Sequence, residues 1–181
     1  MRPLRQICRV LPVLVAALVL FKAAAAQVYA SPEEAAHHAH TLALFNNICL
    51  QTLPDFEAAE ARFAESGLAG TPGGFWTDDN KGLIARTVWH EGGRQRGCFL
   101  ALAEANVPAL DAELGQVLAA ALGRAEVAVV KGPTPRDPSL YLLDFDGYRV
   151  TSVVAHASRG YAMLSVSVDV HDGADPPWSA E

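Results

Sequence analysis

The segment "YAMLSVSVDV", residues 161–170, constrains the fold more than any other part of the chain. Apolar and polar residues alternate in it, so we expect Leu164 and Val166 to point inward and Ser165 and Ser167 to point outward. A period of two is typical of a β-strand that is buried on one side and solvated on the other. The segment therefore predicts an antiparallel sheet packed by helices on one face.

Other segments of the second half predict further strands and one helix. "LIARTVWHE" and "GCFLALA" predict two strands joined by "GGRQRG", and "VAVV" predicts a short strand. "SLYLLDF" and "YRVTSVVAHA" flank Asp146-Gly147, a strong signal for a two-residue hairpin loop. Between these groups Leu110, Leu114 and Leu118 share one helix face, and Gly123 lies near the helix end. We therefore expect an antiparallel sheet of about five strands with this helix packed on it.

The first half predicts a pair of helices. Ser31–Glu34 has the residues of a capping box, with Pro at the first helical position, and we expect the first helix over residues 32–51. Phe56 and Phe63 belong to the apolar stripe of a second helix, which Gly67 ends. The predicted fold class is therefore α+β: an N-terminal helical pair, an antiparallel sheet of about five strands and one further helix on the sheet.

The N-terminus has the layout of a secretory signal peptide. Arg2, Arg5 and Arg9 form a basic start, and the apolar run Val10–Phe21 follows. This run is shorter than the roughly 20 residues that a membrane-spanning helix needs. Small residues in "KAAAAQ" then offer a cleavage site, so we expect residues 1–26 to be removed during export to the periplasm or the cell exterior.

The predicted organisation is a signal peptide at 1–26, a single α+β domain at 27–170 and a flexible C-terminal tail at 171–181. Cleavage after Ala30 is an alternative, and an uncleaved membrane anchor is the competing interpretation of the apolar run. A chain of this length suits one domain.

The charge of the mature chain narrows its partners. The sequence contains 14 Lys and Arg residues and 20 Asp and Glu residues. The leader holds four of the basic residues and no acidic one, which leaves a mature charge of 10 minus 20, or −10. An acidic surface opposes binding to nucleic acid and to anionic lipid. We expect no nucleic-acid partner, no stable membrane insertion after cleavage, and an unknown protein or small-molecule partner in the periplasm.

Loss of the leader removes Cys8 and leaves Cys49 and Cys98. In an oxidising compartment two thiols most simply form one disulfide, and two separately buried thiols are the alternative. About residues 45–105 contain "FNNICLQTLPDFEAAEARFAESGL", a Trp-bearing loop and "GC" at 97–98. This combination resembles small secreted bacterial proteins of unknown function. That resemblance implies a Cys49–Cys98 pair and a periplasmic location. It implies no activity.

The run "HHAH" offers one hypothetical metal site. At about 100° per residue on a helix, His38 faces the same way as Cys49, toward the core. Glu33, His37 and His40 face the solvent, where two imidazoles and a carboxylate suit Zn²⁺, Cu²⁺ or Ni²⁺. The alternative is a capped surface helix without a metal. We expect no cofactor, because no Gly-rich phosphate loop follows a strand and opens a helix.

Two loops offer hypothetical ligand-binding residues. Phe75 and Trp76 lie in the turn-rich segment 70–82, and loops often carry function. Their rings are equally suited to covering the core. Arg94 and Arg96 lie at the predicted hairpin tip, where they could bind an anion or could simply be solvated.

The sequence contains no hydrolase signature such as G-x-S-x-G. His90 and His156 could act as general bases with a loop acid, Asp78 or Asp79, but neither has a recognisable nucleophile beside it. The leading hypothesis is a non-catalytic periplasmic protein that binds a small ligand or another protein through a disulfide-tied α+β domain. A hydrolase and a metal-binding protein are the alternatives.

Overall fold

A computed structural model describes residues 31–90, 92–103, 105–123, 127–130, 139–156 and 161–178. The chain divides into two compact units, Met1–Ala36 and His37–Glu181. The predicted signal peptide, residues 1–26, lies outside the described residues. No helix in the described ranges is long and apolar enough to cross a membrane.

Within the described ranges, three α-helices form where the sequence predicts helices. Their bounds are Pro32–Ile48 for α1, Ala59–Glu65 for α2 and Val107–Ala121 for α3. Helix α1 is shorter than the predicted range 32–51, because a short 3-10 helix, Leu50–Thr52, takes over from it. The predicted helical pair and third helix are present, but their lengths differ from the prediction.

Side-chain caps explain where two of the helices begin. The Ser31 hydroxyl accepts a hydrogen bond from the Glu34 amide at 3.1 Å, as the capping box predicts. The Asn106 side-chain oxygen accepts a hydrogen bond from the Ala109 amide at 3.2 Å. Both caps satisfy an amide that the first helical turn leaves without a helical partner.

The sheet has eight antiparallel strands, so the expected number of about five was wrong. Its strand order is β1-β2-β3-β4-β8-β7-β6-β5. The bounds are Ala69–Gly70 for β1, Trp76–Asp78 for β2, Leu83–Trp89 for β3, Gln95–Ala103 for β4, Ala128–Val130 for β5, Leu140–Asp144 for β6, Tyr148–His156 for β7 and Tyr161–Val170 for β8. Strands β1 and β2 lie in or beside the segment predicted as a loop, because two or three residues are too few to show a period of two.

The two predicted hairpins are present. The amide of Phe145 donates to the carbonyl of Tyr148 at 2.9 Å, which leaves Asp146-Gly147 as a two-residue loop between β6 and β7. Gly147 has a φ of 83°, a conformation that glycine adopts without strain. The other hairpin joins β3 to β4 through the expected glycine-rich tip.

All three helices pack on one side of the sheet, which we call the helix face. Leu164 and Val166 of β8 are buried on it, as the alternation predicts, while Ser165 and Ser167 are only half-buried on the other side. Every helix contributes to the same apolar core. Its large members include Phe45, Ile48, Phe63, Leu83, Leu100, Leu110, Leu114, Leu118 and Leu164.

A disulfide ties the helical layer to the sheet. Cys49, which follows α1, and Cys98, in β4, are joined with a Cα–Cα distance of 5.5 Å, so the predicted pairing is confirmed. Both residues are fully buried on the helix face. The bond therefore holds the end of α1 against the middle of the sheet.

Candidate functional site

The side of the sheet opposite the helices carries a broad apolar surface, which we call the open face. No helix of the described ranges packs on it. Strand pairing arranges its central residues in three rows. The first row contains Arg86, Phe99, Ser165, Val153, Leu140 and Val130. The second contains Thr77, Ile84, Ala101 and Met163, and the third contains Val88, Gly97, Ser167, Thr151, Leu142 and Ala128.

An aromatic cluster marks one end of the first row. Phe75, immediately before β2, is 53% exposed. Its ring lies edge-on to the ring of Phe99, with centroids 6.4 Å apart. The Arg86 guanidinium covers the Phe75 ring at 4.9 Å, a cation–π distance. These contacts hold a large exposed ring at the rim of the open face.

Charge is scarce in the centre of the open face. Among the described residues of the three rows, Arg86 is the only charged side chain. Other charges lie beyond the third row, where Arg149 forms an ion pair with Asp144 at 2.6 Å. The Arg149 hydrogen bond lowers the pKa of Asp144 below its ordinary value. The apolar centre is therefore bordered by ionised groups, as in many protein interfaces.

The two aromatic residues predicted to bind a ligand lie on opposite faces of the sheet. Trp76 is only 6% exposed, and its ring stacks on Phe63 of α2 with centroids 6.0 Å apart. Phe75 precedes it and points to the open face, because successive residues of an extended chain alternate sides. Only Phe75 of the pair is available at the surface.

The two arginines of the predicted hairpin tip are engaged within the chain. The Arg94 guanidinium donates to the carbonyl of Val170 at 3.3 Å and also to that of His171. The Arg96 guanidinium lies 4.7 Å from the ring of Trp89 and 4.4 Å from the ring of Trp178.

Arg96 also has polar partners on the helix side. It donates to the carbonyl of Asp55 at 3.0 Å and lies 3.6 Å from a carboxylate oxygen of Glu57. Its donors are thus partly occupied by protein oxygens, so the structure does not present Arg94 and Arg96 together as an anion site.

The first part of the predicted C-terminal tail takes part in this arrangement. The Trp178 indole N–H donates to the carbonyl of Gly93 at 3.1 Å, across the hairpin tip. Residues 171–178 are therefore connected to the β3–β4 hairpin at several points, whereas 179–181 lie outside the described residues.

The three histidines of "HHAH" separate as helical geometry predicts. His38 is 1% exposed, and its Nε2 accepts a hydrogen bond from the Asn106 amide at 3.2 Å. His40 is exposed, and its Nε2 lies 3.3 Å from the Lys81 ammonium. His37 is half-buried on the same helix, and Glu33 is exposed in its first turn.

The surroundings of His40 do not favour a cation. Burial and the nearby Lys81 charge lower the pKa of His40 below its ordinary value. The described residues contain no group of three or more His, Cys, Asp or Glu side chains arranged to hold a metal ion.

The residues of the hydrolase alternative are far apart. Asp78 pairs with Leu83 at the start of β3, and His90 follows the end of this seven-residue strand. At about 3.3 Å per residue, their backbones are roughly 23 Å apart. Asp79 directly follows Asp78, and its side chain is exposed in the turn.

His156, the other candidate base, lies four strands away from Asp78 in the sheet order. At about 4.8 Å per strand, this is roughly 19 Å between backbones. General acid–base pairs need contact within about 3 Å or through one water, and side chains on backbones this far apart cannot bring Asp78 to either histidine in that way.

A hydrogen-bonded cluster fastens α3 to the sheet. The Tyr141 hydroxyl lies 3.2 Å from Asp111 Oδ1, and the Ser139 hydroxyl donates to Asp111 Oδ2 at 2.7 Å. Burial, with the Asp111 charge, raises the pKa of Tyr141 to about 12. The phenol is therefore protonated near neutral pH, where it donates a hydrogen bond to Asp111.

A groove lies between α1 and α3. Its volume is about 330 Å³. The buried side-chain oxygen of Asn46 has no hydrogen-bond partner among the described residues. The lining residues are Ala39, Leu42, Ala43, Asn46, Glu113, Val117 and Ala120.

Comparison with protein-family models, with curated proteins and with solved structures found no match to this chain.

The open face was not predicted from the sequence, although the sequence contains one signal for it. "GCFLALA" of β4 is apolar at successive positions, a pattern typical of strands covered on both sides. The helices cover Leu100 and Leu102, and Phe99 and Ala101 form the centre of the open face.

Proposed function

We propose that this chain is a non-catalytic, exported protein that binds another protein through the open face. The observation that carries the proposal is the first row of the open face together with Phe75 at its end. It combines an exposed aromatic ring with an apolar surface on which no described helix packs. Exposed apolar patches on proteins commonly mark interaction sites. Aromatic residues and arginine are also enriched among the residues that dominate binding energy, and the Arg86 guanidinium covers the Phe75 ring.

The pattern of β4 gives independent support. From Gly97 onward its residues are apolar on both sides, whereas β8 has Ser165 and Ser167 on its outer side. A strand that is apolar on both sides is suited to a sheet with two covers. The helices supply one cover, and a docked protein supplies the other.

Export to the periplasm is part of the same proposal. The N-terminal layout is typical of a signal peptide, and the Cys49–Cys98 bond suits an oxidising compartment. Mass spectrometry of the protein from a periplasmic extract should give a chain that begins near Gln27 and contains no free thiol. A chain that retains residues 1–26 in that extract would contradict the predicted cleavage.

Two features support the non-catalytic part of the proposal. The candidate bases His90 and His156 lie far from Asp78, and Tyr141 is held in its protonated form by its surroundings.

Site-specific photo-crosslinking in living cells tests the docking surface. A photoreactive phenylalanine analogue placed at Phe75 is expected to form a discrete cross-linked product with a protein. The matched control places it at Ala112, which is exposed on α3, away from the sheet. Equal products from both positions, or none from Phe75, would contradict the proposal.

A second candidate function, binding of a small apolar ligand, is favoured by the groove between α1 and α3. Its volume of about 330 Å³ is near the lower end of the range for ligand pockets. An apolar fluorescent dye should bind the wild-type chain and lose affinity when Ala43→Trp fills the groove. Unchanged dye affinity in this variant would contradict binding at the groove.

A further inference from the structure

We infer that the protein docked on the open face is a second copy of this chain, in a sheet-on-sheet dimer. The inference rests on the proposed function, since it names the partner of the same surface. It follows from three properties of the face, which are its symmetry, the sizes of facing side chains and its area.

The strand order permits a symmetric face-to-face dimer that is centred on the sheet. Four strands lie on each side of the boundary between β4 and β8. A two-fold axis parallel to the strands along this boundary places β4 opposite β8 of the second copy, and β3 opposite β7. Such an interface is isologous and closed, so it ends at two copies.

Side-chain sizes are complementary about that axis. Phe99 and Ser165 belong to one row, so each Phe99 faces Ser165 of the second copy. Ala101 and Met163 belong to the next row, so the small and large residues exchange strands. Large side chains opposite small ones allow two layers to interdigitate at the density of a protein core.

The area of the face suits a stable dimer. At a spacing of about 4.8 Å and a rise of about 3.3 Å, each strand residue covers roughly 16 Å² of the face. The eight strands together then present roughly 750 Å² by the same spacings. A standard protein interface buries about 800 Å² on each partner.

The charge distribution predicts how the dimer responds to salt. Within the rows Arg86 faces Val153 of the second copy, so no like charges meet in the centre. The mature chain nevertheless carries a net charge of −10, being 10 basic minus 20 acidic residues. Repulsion between two such copies is screened by salt, and apolar contacts are not. Dimer affinity should therefore rise as the salt concentration rises.

Sedimentation equilibrium of the mature, disulfide-bonded chain is the first test. Wild-type protein should be dimeric, and Ser165→Arg, which places two cations beside the axis, should weaken dimerisation on the order of a hundredfold. The control Ala112→Arg adds the same charge on α3 and should leave the affinity unchanged. A wild-type chain that stays monomeric at all concentrations and salts would overturn the dimer.

Cross-linking keeps the inference testable if Ser165→Arg fails to fold. The variant Ser165→Cys should be joined to a second copy by a bismaleimide that spans about 10 Å, the usual distance between packed sheets. Ala112→Cys should give only background dimer. Equal yields from the two variants would overturn the inference.

Photo-crosslinking from Phe75 separates this inference from the proposed function. A product of twice the chain mass that contains only peptides of this protein supports the dimer. A product with a different protein, from a chain that is monomeric in sedimentation, overturns the dimer and leaves the proposed function intact. Absence of any product overturns both.

Discussion

The two faces of the sheet differ in how they are buried, although they share the same strands. On the helix face, Leu100 is 0% exposed and belongs to the apolar core to which all three helices contribute. On the open face, its neighbour Phe99 is partly exposed and contacts Phe75. Apolar character alone therefore does not distinguish residues that stabilise the fold from residues that are available for binding. The difference is whether other parts of the same chain bury them.

Adjacent residues at two other places show the same division. Trp76 is in the core while Phe75 lies at the surface, and His38 is buried while His37 is half-buried. Phe75 and Trp76 were predicted together as ligand-binding residues, whereas His38 was assigned to the core and His37 to the solvent side. Backbone geometry separates the members of each pair, because neighbouring side chains diverge by 180° on a strand and by about 100° on a helix.

Removal of the disulfide should have the largest effect on the helix face. The double variant Cys49→Ala, Cys98→Ala loses a cross-link between residues 49 positions apart. The chain-entropy model then predicts a loss on the order of 4 kcal/mol of unfolding free energy. Urea denaturation followed by circular dichroism measures it. A loss below about 1 kcal/mol would mean that packing alone holds α1 on the sheet.

Substitutions on β8 should show the next largest difference between the faces. Leu164→Ala creates a cavity in the core and should cost about 3 kcal/mol of unfolding free energy. Ser165→Ala, one residue away on the open face, should change it by about 0.5 kcal/mol or less. Similar losses for the two variants in urea denaturation would contradict the assignment of the faces.

The Tyr141 cluster gives the helix face a response to high pH. The folded-state pKa of about 12 lies above the ordinary value of 10.0, so folding favours the neutral phenol. The contribution of the neutral Tyr141 phenol to the unfolding free energy is complete below pH 10 and is lost as the pH rises through 12.

Tyr141→Phe tests this response. The variant should lose about 1 kcal/mol at neutral pH, because its hydrogen bond to Asp111 is gone. It should also lack the tyrosinate absorbance that appears latest in an alkaline titration. Tyr148→Phe is the matched control, and loss of the late step in that variant instead would contradict the assignment.

The smallest expected effect concerns His40. The Lys81 charge contributes to its lowered pKa, so Lys81→Ala should raise the pKa of His40 toward its ordinary value in an NMR titration. His37, on the same helix, is the internal reference.

Calorimetric titration with Zn²⁺ tests the metal-site hypothesis for Glu33, His37 and His40 on the same samples. We expect no site tighter than about micromolar, since exposed sites without supporting hydrogen bonds bind weakly.

Local patterns predicted much of the helix face, and long-range pairing determined the rest. Four predictions from local patterns are confirmed: the alternation of β8, the helix cap at Ser31, the Asp146-Gly147 loop and the Cys49–Cys98 pair. Strand β5 lies in the predicted short strand "VAVV", whereas β1 and β2 are too short for periodicity to define, and these two strands account for most of the difference between about five strands and eight.

The open face was less predictable than the core. Phe75 was among the predicted binding residues, but Phe99 and Met163 were not. They come together only through the pairing of β4 with β8, which places Phe99 beside Ser165 in one row and Ala101 beside Met163 in the next. No local motif encodes such a row.

Paired substitutions on β4 test the central claim that the two faces have different roles. Leu100→Ala and Phe99→Ala differ by one position, and each is measured for unfolding free energy and for the yield of cross-linking from Phe75. Leu100→Ala is expected to cost about 3 kcal/mol, and Phe99→Ala about 1 kcal/mol while nearly abolishing the cross-link. Equal losses of stability, with cross-linking unaffected by Phe99→Ala, would contradict the account.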